Sequence, residues 1–130
     1  MEFITPEIHW MLIVIACSFM LLDVVTGFVQ AVMNKCVDSK VMKTGLFHKC
    51  GFLLAILFGC LCEYAMNYID LGFDVPIQDV VCGYIIVMEI ASILENLALI
   101  SPELASRKFM DIFKSSGGEK TDENKPGGGN

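Results

Sequence analysis

No stretch of this chain interleaves basic and aromatic residues along a groove-like segment, which speaks against nucleic acid as a partner. No two cysteines stand at the CxxC spacing. Cys60 and Cys62 are parted by a single leucine, and no histidine cluster completes a zinc site. No nucleophile–base pair or glycine-rich phosphate loop is visible, so neither an enzyme nor a bound cofactor is expected. No basic segment precedes the first apolar run, and Asp23 and Gln30 stand where a small-residue cleavage site would follow it. A removable signal peptide is therefore not expected. Residues 80–100 contain no proline, lysine or arginine at all.

What the chain has instead is apolar length. Of 130 residues 55% are hydrophobic, the mean hydropathy is +0.61, and the charges gather outside three apolar runs. This is the pattern of one small all-α membrane domain with three transmembrane helices, at about residues 9–33, 50–69 and 80–100. That domain is expected to occupy residues 1–114, followed by a disordered polar tail at 115–130 that holds almost nothing apolar. Five of the six cysteines lie in or at the ends of the runs, where they read as small apolar packing residues kept reduced.

The informative residues are the polar ones inside the runs. In the third run Glu89, Ser92 and Asn96 follow at i, i+3 and i+7 and share a helix face, with Glu95 flanking it. In the first run Asp23, Thr26 and Gly27 share a face, continued by Gln30 and Asn34. In the second run Gly51, Ala55 and Gly59 are spaced by four, a pattern that lets helices approach closely in lipid, and Glu63 continues the row. A carboxylate facing lipid costs on the order of 2.5–3.5 kcal/mol, so these stripes must face protein or water. Counted from the outer ends, Asp23 and Glu95 lie roughly 21–22 Å deep and are expected to meet, while Glu63 and Glu89 form a shallower layer at roughly 9–13 Å. No lysine or arginine is expected at those depths. The acids are then protonated, hydrogen-bonded to Thr26, Ser92, Asn96 or one another, or wet, and an oligomer enclosing a polar lumen satisfies them most naturally.

The basic residues set the topology. Lys35, Lys40, Lys43 and Lys49 occupy the first connection, which reads equally as a short surface helix or a cationic loop. Arg107 and Lys108 begin the basic C-terminal segment, where residues 104–113 suit a brief amphipathic helix. The 70–79 loop has neither Lys nor Arg. The positive-inside rule then places the N-terminus outside and the C-terminus in the cytoplasm, with these cations at the membrane surface.

Three groups of residues carry a resemblance. Asp23-Val-Val-Thr26-Gly27, the Ser39, Met42, Gly45, Lys49 spacing, and Glu89-Ile-Ala-Ser92-Ile93-Leu-Glu95-Asn96 resemble the toxin-secretion/phage-lysis holin family, over about residues 23–113. The resemblance implies a multi-pass protein of the bacterial host cytoplasmic membrane that forms homo-oligomers and then timed lesions. An endolysin, or in some members a toxin, leaves through them, and an antiholin is a possible further partner. Two rivals remain at this point: a small ion or proton channel subunit using the same acids, and an antiholin or scaffold that makes no opening. Lysis on induction separates the first reading from both.

Overall fold

The computed structural model describes residues 8–105 and 111. Three helices, α1 (Trp10–Met33), α2 (Ser39–Met66) and α3 (Ile77–Ile100), are followed by a short 3-10 turn at Pro102–Ala105. The described residues contain no strand. All three helices are long and apolar enough to cross a membrane. At about 1.5 Å per residue their 24, 28 and 24 residues match or exceed the bilayer hydrocarbon. Arg107, Lys108 and the 115–130 tail lie outside the described residues.

The helix boundaries have local causes. α1 ends in a paired-amide C-cap, with Cys36 N–H donating to the Ala31 carbonyl at 3.0 Å and Lys35 N–H to that of Val32 at 3.2 Å. This turn puts Lys35 at φ +54°, a left-handed conformation that glycine usually takes. α2 starts early because Asp38 caps it, its carboxylate accepting from the Lys40 N–H at 2.8 Å. Nothing between Asp38 and the apolar run stops the helix. Residues 39–49, read from the sequence as a surface helix or loop, are instead the first three turns of α2. The 70–79 loop turns through Asp70, which accepts from the Gly72 N–H at 2.8 Å, with Gly72 at φ +75°. α3 begins at Ile77, three residues ahead of the expected 80, directly after Pro76.

α1 and α3 run parallel and share the most extensive packing; α2 lies antiparallel against α3 and barely meets α1. The core is thin: Ala16, Met20, Ile56, Cys82 and Ile85, with Cys17 and Cys60 against it. Gly59 allows the tightest approach, since a Cβ there would lie 3.1 Å from the Gln78 Cα. Most large apolar side chains face outward, as they do where the surrounding solvent is lipid. Residues 39–48 of α2 are exposed throughout, so this end of the helix stands away from the other two. A groove of about 460 Å³ opens there between the splayed half of α2 and the α1/α3 pair.

Candidate functional site

Halfway along the bundle the polar residues of all three helices converge on one amine. Lys49 Nζ of α2 lies 2.8 Å from Asp23 Oδ2 on α1 and 2.6 Å from Glu89 Oε2 on α3. The three side chains are only 13%, 14% and 3% exposed. The other Asp23 oxygen accepts from Asn96 Nδ2 at 3.1 Å, and the same amide donates to Thr26 Oγ1 at 3.2 Å. Thr26 in turn donates to the Asp23 carbonyl at 3.1 Å. Gly27 leaves room for this amide, which would sit 3.5 Å from a Cβ there. One ammonium and one amide thus tie together two carboxyl groups from different helices. Such charge-assisted bonds are short and strong where water is excluded.

This geometry corrects two sequence expectations. Lys49 is not a membrane-surface cation. The upward extension of α2 brings its backbone into the bundle, and its long side chain reaches between α1 and α3. The acids therefore do have a base at their depth. The division into two layers also changes. Glu89, expected in the shallower layer with Glu63, joins Asp23 through Lys49, and the polar groups around Asp23 and Glu95 meet through Asn96 and not through Glu95 itself. Glu95 points outward and is exposed, because it lies about 100° around α3 from its neighbour Asn96.

The remaining residues are dispersed. Glu63 is buried at the opposite end, where its carboxylate accepts the Gln78 N–H at 3.0 Å, the second amide of α3. It is a helix cap supplied by another helix, and a negative charge suits that terminus. Gln78 also donates from Nε2 to the His9 carbonyl at 3.3 Å, and His9 Nδ1 lies 2.8 Å from Asp79 Oδ1, so this end is tied across α1 and α3. Ser92, Asn96 and Lys43 all line the groove. Of the small-residue row, Gly59 is buried against α3, Ala55 is half-buried, and Gly51 faces open space. Lys35 and Lys40 are exposed, at the connection and at the start of α2.

The partner that sequence reasoning missed, Lys49, had a signal. Four acids within apolar runs needed a base, and Lys49 is the cation that directly abuts an apolar run. The hydropathy boundary at residue 50 hid it, because a hydropathy edge marks where apolar residues begin and not where a helix does.

No curated protein and no solved structure matches the chain. A family model, that of the bacteriophage holin family, matches residues 2–114. The match takes in the first helix as well as the residue groups at Asp23, Lys49 and Glu89. Three helices able to span a bilayer agree with a multi-pass membrane protein. On that match, which covers most of the 130 residues, the chain belongs to the bacteriophage holin family.

Proposed function

We propose that this holin accumulates as closed protomers in the host cytoplasmic membrane, oligomerises, and rearranges into lesions that release an endolysin or a toxin. The observation that carries this reading is the Lys49–Asp23–Glu89 cluster. A buried ion network joining three thinly packed helices is a latch with two satisfied states. Closed, the charges neutralise one another in a dry interior. Open, water solvates them along the wall of an aqueous lumen. Their low net contribution in the first state and their solvation in the second keep the two packings close in energy, as a switch requires. In this reading Asp23, Thr26, Glu89, Ser92 and Asn96 line the opening. The lysine-rich end carrying the α1–α2 connection faces the cytoplasm, by the positive-inside rule.

The test is induced expression in a bacterium, following culture density and leakage of a cytoplasmic enzyme, for the parent and for Lys49→Gln. Abrupt leakage after a delay, with onset displaced in the variant, is the expected result. Steady growth without leakage would overturn lesion formation. A small selective ion current without enzyme loss would replace it with an ordinary channel.

A further inference from the structure

Several charges among the described residues have no side-chain partner within the protomer, and two of them stand on the spanning helices at one level. Glu95 stands on the exposed face of α3, and Lys43 stands on the splayed half of α2; among the described residues neither has a hydrogen bond or ion pair. Their positions along the bundle match. Lys49 faces Glu89 across the antiparallel α2/α3 pair; six residues onward along α3 is Glu95, and six residues back along α2 is Lys43. The close approach of Gly59 to Gln78 gives the same register to within one residue. Both charges thus sit about 9 Å beyond the ion cluster, toward the lysine-rich end.

Equal depth is the condition for contact between two copies held in one bilayer, because neighbours related by an axis along the membrane normal can touch only at the same level. The surfaces fit the charges. Beside Lys43 on the same helix face, Leu46 and Phe47 are 60% and 74% exposed. Around Glu95, Met88 and Leu99 are 43% and 58% exposed and Ala91 leaves a small-residue gap between them. An outward carboxylate this far along a spanning helix is costly to leave against lipid. Lys43 and Leu46 line the groove beside the splayed half of α2, so the α3 face of a neighbour meets them at that groove.

We infer that the inner half of α2 in one copy packs on the α3 face of a second copy, with Lys43 of the first paired to Glu95 of the next. The two surfaces differ, so the contact is head-to-tail and repeats from copy to copy into rings or open arrays. This names the protomer contact behind the oligomer of the proposed function and rests on that reading only for its consequence, the lesion.

A charge exchange tests it in the full-length protein in membranes. Lys43→Glu and Glu95→Lys, expressed singly, should each lose most of the oligomer ladder seen after chemical crosslinking. The double variant should restore it, and so should co-expression of the two single variants, because each then meets its complement on the other chain. A carbodiimide, which joins a carboxyl to an amine at contact, should link Glu95 to Lys43 between isotope-labelled and unlabelled copies. Restoration by the double variant without restoration on co-expression would assign the pair to one chain and overturn the inference. Parent-like ladders from both single variants would overturn it as well. Ladders that follow the charge pattern while no variant or parent leaks enzyme would keep this contact and reject the lesion instead.

Discussion

Lys49 is the residue on which the rest of the interior depends. Replacing it with methionine keeps the volume and removes the charge that two buried carboxyl groups face. Removing one partner of a buried ion network costs about 3–5 kcal/mol. Lys49→Met should therefore lower the melting temperature of the detergent-solubilised protein markedly, and adding Asp23→Asn and Glu89→Gln should recover a large part of the loss. A melt unchanged in Lys49→Met would mean that water already solvates the cluster. Asn96→Ala strips a donor from both Asp23 and Thr26 and should cost about 1–3 kcal/mol, read by the same melt. The sequence announced the acids and Asn96 by their helical spacing, because a polar residue in an apolar run is conspicuous. It did not announce their partner, because lysine beside a run looks like any other interfacial lysine.

At the scale of the helix, two glycines separate contacts within a protomer from contacts between copies. A Cβ at Gly59 would press on the Gln78 backbone, whereas one at Gly51 would meet nothing. Gly59→Ala should destabilise the protomer by about 1–3 kcal/mol in the melt. Gly51→Ala should leave the melt unchanged or slightly raised, since alanine favours helix. If Gly51→Ala nonetheless shifts the onset of lysis, Gly51 acts between copies. Lys35 gives a prediction of opposite sign. Its left-handed φ costs an L-residue roughly 1 kcal/mol, so Lys35→Gly should raise the melting temperature. The three helices themselves were legible from hydropathy, and the α3 end at Ile100 from Ser101-Pro102. The start of α2 was not, since its signal was a single capping aspartate twelve residues ahead of the apolar run.

Across the whole molecule, the order of packing could not be read from the runs. All three runs are apolar enough to span, yet α1 pairs with α3 and leaves α2 attached on one side. The close approach of α2 to α3 is at Gly59 against the Gln78 backbone, while α2 reaches α1 through the Lys49–Asp23 pair. The orientation of the bundle is a prediction at this scale. Cys36 is exposed in the α1–α2 connection. With the other five cysteines replaced, a membrane-impermeant maleimide should label it in inverted vesicles and leave it unlabelled in intact spheroplasts. The reverse pattern would invert the whole topology.

The chain is made from its amino end, and this gives the ion cluster a history. When α2 enters the bilayer, α3 has not yet left the ribosome. Of the two carboxyl groups that Lys49 meets in the folded bundle, only Asp23 is then in place, since Glu89 is still to come. An unaccompanied lysine in mid-helix is among the residues that insertion tolerates least. The Lys49–Asp23 contact is therefore the first of the cluster's two ion pairs that the growing chain can close.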